Sequence, residues 1–258
     1  MSRSLPPLDL HAHIEIDIPS RTLENLGAVV FAVTRSLKEF ESVLYRQDAV
    51  TIWGLGCHPG VAEAQQEFNI SKFSKLMQNT AYIGEIGLDG SSSVALSRQI
   101  EVLLSILTAV ATSPRLVSVH SSRATSQVLD TIEQANVHGV VLHWWRGSEP
   151  ETQRAIGLGC LFSVNQHMNP TGLLKAGVPI TSLLPETDHP SGNRRGDAPR
   201  QPGHTLDVER SIAVAYGVEL PMIREIFWKT LSRHVSVLGV TALLPPVVQN
   251  MLRFADSK

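Results

Sequence analysis

Short apolar runs that end in polar residues recur along the chain and predict eight strands. Most of the runs are rich in Val, Ile or Leu and are too short for a buried helix, which is typical of buried strands in a parallel sheet. The eight runs are Leu8–Leu10, Gly27–Val33, Val50–Leu55, Tyr82–Ile86, Leu116–Val119, Gly139–Leu142, Cys160–Val164 and Ile180–Leu184.

Helical periodicity between these runs completes an alternating pattern. Amphipathic patterns cover Ser97–Thr112, Thr125–Asn136 and Glu149–Leu158, and weaker ones cover Thr34–Asp48 and Gly60–Asn79. No break in composition marks a linker. Because eight strands alternate with helices over about 250 residues, we predict that residues 1–258 form a single α/β domain, a (β/α)8 TIM barrel.

Composition narrows the class of protein. Hydrophobic residues make up 43 % of the 258 residues and charged residues 18 %, as in ordinary soluble proteins. No run of about 18 apolar residues occurs, so a membrane span is not expected. The first residues lack a signal-peptide pattern, and the only cysteines, Cys57 and Cys160, are far apart, so we expect a cytoplasmic protein without a disulfide framework. The net charge of −2 argues against a cationic DNA coat, but it is compatible with a nuclease that needs only a local site.

Chemistry-bearing side chains follow the predicted strands at the end where a barrel places its active site. Five of the ten histidines lie there, together with two carboxylates. They are His11 and His13 after strand one, His58 after strand three, Glu85 in strand four, His120 after strand five, His143 after strand six and Asp188 after strand eight.

Six of these seven residues are predicted to bind two divalent cations. His11 and His13 are two residues apart on a strand and therefore point the same way. Imidazole and carboxylate groups bind zinc and manganese, and four histidines favour these ions over magnesium. Two such ions about 3.5–4 Å apart acidify a water and stabilise the attacking and leaving oxygens. Any one of these residues has an ordinary structural explanation, and the specificity lies in the full set: His11, His13, Glu85, His120, His143 and Asp188.

Two carboxylates in this set are predicted to be catalytic. Glu85 is placed to bridge the two cations, which would be held by His11, His13 and Asp188 on one side and by His120 and His143 on the other. Asp188 is also a candidate to orient or deprotonate the attacking water.

An ordered series of motifs resembles the TatD family of metal-dependent DNases over nearly the whole chain. The resemblance implies a TIM barrel of the amidohydrolase type and hydrolysis of DNA phosphodiesters, often stepwise from a 3′ end, and it implies the same six metal ligands. The family is often described with magnesium. The motifs are Asp9-Leu-His-Ala-His13, Gly56-Cys-His-Pro59, Ile83-Gly-Glu-Ile-Gly-Leu-Asp89, Val119-His-Ser121, His143 with Gly147-Ser148, and Glu186-Thr-Asp188 with Pro190.

Three longer segments resemble the QatD branch of this family. That branch belongs to the Qat anti-phage system, so the resemblance implies bacterial defence beside other Qat proteins, an ATPase and a QueC-like protein. The segments are Gly84-Glu-Ile-Gly-Leu-Asp-Gly-Ser91, Val140-Val-Leu-His-Trp144 with Gly147-Ser148, and Leu158-Gly-Cys-Leu-Phe-Ser-Val-Asn165 with Met168.

Three residues near the ligands are candidates to contact a nucleic-acid substrate. His58 would contact a phosphate or leaving group, or is a hydrogen-bonded rim histidine. Arg123 would clamp a phosphate, or lies solvated in the first turn of a helix. Its position is shifted by Ser122, which intervenes after the strand-five His-Ser. Trp144 would stack on an unpaired base, with its neighbour Trp145 packed against a helix.

Two further features bear on the substrate. The family's common Cys-Phe-Ser-Gly after the strand-six histidine is replaced here by Trp144-Trp145-Arg146-Gly147. The long loop His189–His204 contains Arg194, Arg195 and Arg200, which are either phosphate contacts or solvated.

The preferred function is a DNA hydrolase acting on single-stranded or 3′ ends. One alternative keeps the barrel and hydrolyses C–N, lactone or phosphotriester bonds. Another is a metal-bound recognition subunit of a defence complex with little turnover of its own.

Overall fold

Eight parallel strands form a closed ring in the computed structural model, which describes residues 4–193 and 201–258. The strands pair in chain order within two ladders, β1-β2-β3 and β4-β5-β6-β7-β8, and every pair is parallel. The bridges Leu55–Ile83 and Ala12–His189 join the two ladders into a barrel. The strands are β1 Leu8–Ala12, β2 Val29–Val33, β3 Thr51–Gly54, β4 Tyr82–Gly87, β5 Leu116–His120, β6 Val140–His143, β7 Leu161–Val164 and β8 Leu183–Pro185.

Helices follow the strands and cover the outside of the ring, which confirms the predicted (β/α)8 barrel. They are α1 Ser20–Glu24, α2 Leu37–Val43, α3 Ala62–Gln66, α4 Ile70–Leu76, α5 Leu96–Thr112, α6 Thr125–Ala135, α7 Glu149–Gly157, α8 Pro170–Lys175, α9 Leu206–Tyr216, α10 Leu220–Val237 and α11 Pro246–Asp256. Short 3₁₀ turns lie at Met77–Asn79, Ile180–Ser182 and Thr241–Leu243. The helix α10 packs on β1 and β8 with Phe227 and Trp228 fully buried, so the C-terminal helices cover the side where the ring closes.

The eighth predicted strand, Ile180–Leu184, is partly wrong. The first three residues form a 3₁₀ turn, in which the Ser182 N–H donates to the Pro179 carbonyl at 2.9 Å. The strand therefore begins at Leu183 and continues to Pro185. Four other predicted strands begin one or two residues late. Two of these were predicted to start at Gly27 and Gly139, whose φ of +67° and +82° lies outside the strand region.

The weakly patterned segments Thr34–Asp48 and Gly60–Asn79 contain shorter helices than predicted. The Ser36 hydroxyl accepts a hydrogen bond from the Glu39 N–H and starts α2. In the second segment, the Asn69 side chain accepts from the Lys72 N–H and starts α4 separately from α3. These N-caps set the helix boundaries because they satisfy backbone donors that the first helical turn leaves unpaired.

The two cysteines are buried and have free thiols. Burial raises the pKa of the Cys57 thiol to about 12 and that of the Cys160 thiol to about 12. Arg194, Arg195 and Arg200 lie outside the described residues. Across residues 4–193 and 201–258, no helix combines the length and the hydropathy needed to cross a membrane.

Candidate metal centre

Glu85 lies at the centre of a ring of imidazoles at the C-terminal ends of the strands. Its Oε1 atom is 2.7 Å from His120 Nδ1 and 3.0 Å from His143 Nε2. Its Oε2 atom is 3.1 Å from His13 Nε2, 3.3 Å from His58 Nε2 and 3.6 Å from His11 Nε2. The Glu85 side chain is only 1 % exposed, so one buried carboxylate faces five histidines from four strands.

Asp188, which follows β8, faces the same cluster from the β8 side of the point where the ring closes. Its Oδ1 atom is 3.8 Å from Nε2 of both His11 and His13. The ring of His11 stacks on that of His143 with centroids 4.0 Å apart, which connects the two halves of the cluster. The structure therefore brings together all six predicted ligands, and it adds His58 to them.

A glycine in the Ile-Gly-Glu-Ile-Gly motif permits this geometry. Gly87 ends β4 with φ of +138°, and a Cβ atom there would lie 2.1 Å from the His120 carbonyl oxygen. Only glycine fits so close a backbone approach. The close contact between β4 and β5 holds Glu85 beside His120.

Burial and neighbouring charge set the protonation of the cluster. Burial opposes ionisation of Glu85, but the charges of His58, His120 and His143 outweigh it and hold the pKa of this carboxyl well below its ordinary value. Burial lowers the pKa of His11 to about 4, which keeps this imidazole neutral. Neutral imidazole and ionised carboxylate are the forms that bind metals.

The donor set fits divalent cations. Among the described residues, Nε2 of His11 and Oε2 of Glu85 are buried without a hydrogen-bond partner, and such orphaned groups are costly unless something else binds them. Three sets each bring their ligand atoms within 4.8 Å of one another: His11 with His13 and Glu85, His11 with His143 and Asp188, and His58 with Glu85 and His120. Nitrogen and oxygen donors in this mixture suit zinc and manganese.

A second carboxylate, Glu186, supports the cluster from beneath. It is fully buried, and its Oε1 atom lies 3.6 Å from Nδ1 of His143 and accepts from Asn165 Nδ2 at 3.0 Å. The Ser163 hydroxyl bonds its other oxygen. On the other side of the cluster, the Ser118 hydroxyl lies 2.8 Å from His11 Nδ1, which directs His11 Nε2 into the centre.

Sequence reasoning gave no role to these supporting residues. Glu186 belongs to the Glu-Thr-Asp motif, and that motif was the available signal. Ser118 carried no signal, because one serine in a strand pattern is unremarkable, and the signal for Asn165 was its place at the end of a QatD-like segment. Arg35 was also missed. It is half-exposed and lines, with His13 and His58, a cavity of about 590 Å³ beside the centre.

Asp9 joins the two strands at which the ring closes. Its carboxylate accepts from the Thr187 N–H at 2.8 Å, from the Thr187 hydroxyl at 2.6 Å and from the Gly203 N–H at 2.7 Å. Burial raises the pKa of Asp9 to about 6, although these hydrogen bonds oppose the shift. Asp9 thus holds β1 against the segment that carries Asp188.

The predicted substrate contacts lie around the rim. Arg123 is exposed with φ of +51° in the turn before α6. Trp144 is half-buried with φ of +42°, and its ring stacks on that of His167 with centroids 5.4 Å apart. Trp145 is buried and donates from Nε1 to the Thr152 hydroxyl of α7 at 2.8 Å, as predicted for the tryptophan that packs against a helix.

A parallel barrel with carboxylates and histidines at this rim defines a metal-dependent hydrolase of the amidohydrolase type. Residues 8–235 match the family described as TatD related DNase. The chain belongs to this family.

Solved structures agree on the fold. A TatD homologue from Escherichia coli K12, YJJV, superposes with a TM-score of 0.74 at 20 % identity, covering 88 % of this chain and 97 % of that one. A TatD family hydrolase from Entamoeba histolytica gives 0.72 at 16 % identity, covering 90 % and 99 %. An uncharacterised amidohydrolase from Saccharomyces cerevisiae gives 0.67 at 14 % identity, covering 89 % and 100 %. No curated protein matches the sequence.

Proposed function

We propose that this protein is a metal-dependent DNase that hydrolyses phosphodiester bonds in single-stranded DNA, stepwise from 3′ ends. The observation that carries the proposal is the position of Glu85, buried between five histidines with Asp188 facing the same cluster. The family description supports DNA as the substrate.

The cluster divides into two ligand sets around Glu85. His11, His13 and Asp188 would hold one cation with Glu85, and His120 and His143 would hold the second with the same carboxylate. The distances from the two Glu85 oxygens support this division, since Oε2 faces His13 while Oε1 faces His120 and His143. Zinc, manganese or magnesium would neutralise charge on the phosphate and acidify the attacking water.

Asp188 is the candidate general base. Burial raises the pKa of this carboxyl to about 7, although the charge of His143 opposes the shift. A carboxyl with a pKa near neutrality can accept a proton from water and later release it. Its Oδ1 atom is 3.8 Å from Nε2 of both His11 and His13, so the carboxylate faces the ligand set that would hold the first cation.

The rim supplies candidate substrate contacts. His58 and Arg35 line one cavity beside the centre and are suited to phosphate oxygens, as is Arg123 on the exposed turn after β5. Trp144 offers an aromatic face for a base.

The QatD-like segments support a setting in bacterial anti-phage defence. In that setting the protein would be cytoplasmic and would act beside other Qat proteins. Cleavage by the isolated protein, compared with cleavage in a mixture with those proteins, tests whether partners are needed.

The central test is cleavage of labelled single-stranded DNA with added manganese or zinc. The His143→Gln and Asp188→Asn variants should lose cleavage. His138→Gln is the matched control, because His138 is exposed just before β6, at the opposite end of the strand that His143 terminates. Full cleavage by either site variant would overturn the proposal. Hydrolysis of small amides or lactones in place of DNA would assign the barrel to another substrate class.

A further inference from the structure

A cavity of about 680 Å³ opens beside β6 and β7 with an aromatic pair in its wall. The rings of Trp144 and His167 both line it, and they stack with an interplanar angle of 22°. Trp144 directly follows the predicted metal ligand His143, the last residue of β6, so the cavity lies next to the metal cluster along the chain.

The aromatic pair is fixed by the carboxylate that supports the metal cluster. Glu186 Oε1 accepts from the backbone N–H of Trp144 at 3.1 Å and from Asn165 Nδ2 at 3.0 Å. The Asn165 side-chain oxygen in turn accepts from the backbone N–H of His167 at 3.0 Å. Glu186 therefore holds the backbone at Trp144 directly and the backbone at His167 through Asn165, and it also faces His143.

This arrangement holds Trp144 in an unusual conformation. A φ of +42° is uncommon for a bulky residue and costs free energy that the surroundings must offset. Beneath it, Trp145 is locked by its bond to Thr152 and by an edge contact with Phe162. The chain thus presents Trp144 to the cavity at an energetic cost.

Cations at the mouth complement the rings. Arg146 and Lys175 line the cavity and are exposed, whereas Glu149 is the one acidic residue among its lining side chains in the described chain. Aromatic faces flanked by cations bind unpaired nucleotides, because the rings stack on bases and the cations contact phosphates. The Trp-Trp-Arg segment is also where the sequence departs from the Cys-Phe-Ser pattern of the family it resembles.

We infer that this cavity is a base-binding subsite for one unpaired nucleotide of the strand being cut. The base lies against the Trp144–His167 pair, and the adjoining phosphates contact Arg146 and Lys175. The inference rests on the proposed function and deepens it, since a base held this way must have left any duplex. The subsite therefore selects frayed or single-stranded ends.

The test uses oligothymidylates that carry one 2-aminopurine, whose fluorescence falls on stacking, placed in turn at each of the last three positions. In the Asp188→Asn background, which prevents cleavage, one position should be quenched on binding. Trp144→Leu should abolish that quenching and weaken binding about tenfold, the loss expected for one base stack. Trp144→Phe should retain most of both. Equal binding and quenching by Trp144→Leu would overturn the subsite.

Hydrolysis of bis(4-nitrophenyl) phosphate separates this inference from the proposed function, because that diester has no nucleobase. If the wild type hydrolyses neither phosphodiester, the proposed function fails, and Trp144-dependent quenching would still support the subsite. If the diester is hydrolysed but quenching does not depend on Trp144, the subsite alone fails.

The cations are tested by the salt dependence of binding. Arg146→Gln and Lys175→Gln should each lower the slope of log affinity against log salt by about one. Lys229→Gln, on an exposed position of α10, is the matched control and should leave the slope unchanged. Unchanged slopes for both cavity variants would remove the phosphate contacts from the inference.

Discussion

Both ends of the barrel bury charged side chains, but the two ends satisfy them differently. At the N-terminal end, the Arg115 guanidinium donates to the carbonyls of Thr80 at 2.7 Å and Pro114 at 2.8 Å. At the C-terminal end, by contrast, Glu85 Oε2 and His11 Nε2 are buried without hydrogen-bond partners in the described chain. Removing a partner from a satisfied buried charge costs stability, whereas buried polar atoms without a partner are candidates to bind a ligand.

A second buried charged group at the N-terminal end also has its hydrogen bonds satisfied. The Asp48 carboxylate accepts from Arg46 Nε at 2.7 Å, from Arg46 Nη2 at 2.9 Å and from Trp53 Nε1 at 2.8 Å. The Arg46 guanidinium also lies over the Trp53 ring at 5.3 Å. Removing a partner at this end should cost stability, whereas removing one at the other end should cost activity.

The largest expected effect is that of Glu85→Gln. Cleavage should fall by at least about 10²–10³-fold, the loss typical for one electrostatic group in an active site. Bound manganese per chain should fall with it, because Glu85 faces both ligand sets. Activity assays, elemental analysis and thermal melting check this together. If Glu85→Gln melts near the wild-type temperature but retains cleavage, the buried charge at the C-terminal end does not serve activity, and the contrast between the two ends fails.

Arg115→Met should have the largest effect on stability. It leaves buried carbonyls without a donor and should lower the free energy of unfolding by about 3 kcal/mol. Metal content and kcat of the folded fraction should stay at wild-type values. The control is Arg210→Met, which removes only an exposed pair with Asp207 and should change stability by less than about 0.5 kcal/mol. Urea denaturation measures both, and equal stabilities would contradict the assignment.

Glu186→Gln tests whether a buried carboxylate beside the metal cluster affects metal binding rather than stability alone. Glu186 is a positioning residue that acts through His143, so metal affinity should fall by about 10–100-fold. The matched control is Glu209→Gln, since Glu209 is equally buried but pairs with Arg224 at 2.6 Å. That variant should lower the melting temperature without changing metal affinity. Manganese titration monitored by calorimetry measures the metal affinity of both variants. If Glu186→Gln loses stability but keeps its metal affinity, the role of Glu186 is purely structural.

The smallest expected effect is a pH dependence at Asp48. Burial opposes its ionisation, but the hydrogen bonds from Arg46 and Trp53 outweigh burial and lower its pKa. A pKa depressed by folding gives stability that is present above about pH 4, the unfolded value, and is lost as pH falls through the folded value. The stability difference between wild type and Asp48→Asn should therefore shrink below pH 4. A difference that is constant from pH 3 to pH 7 would contradict this.

Residue pattern predicted the ring of strands and the six-residue ligand set, because strand ends of a parallel barrel must share a rim. Individual boundaries at Gly27, Gly139 and Ile180 were less predictable, since positive φ at the two glycines and a 3₁₀ turn at Ile180 interrupt the strand pattern. The structure also placed His58 at 3.3 Å from Glu85, as close as the predicted ligands are. Spacing along the chain does not encode such a distance.

The supporting residues were out of reach for a different reason. Asp9, Ser118 and Asn165 act through hydrogen bonds to partners 178, 107 and 21 positions away in sequence. No local pattern joins such pairs. The Trp144–His167 pair is of the same kind, because its alignment depends on Asn165 and Glu186 rather than on its own sequence neighbours.

The bonds of β1 at the ring closure have a topological consequence. The His13 N–H donates to the His189 carbonyl at 2.9 Å, and Asp9 accepts from the Gly203 N–H at 2.7 Å. Both ends of the long segment after Asp188 are thereby anchored to the same strand. The start of α9 is therefore held to the barrel by the carboxylate of Asp9 on β1 as well as by the continuity of the chain.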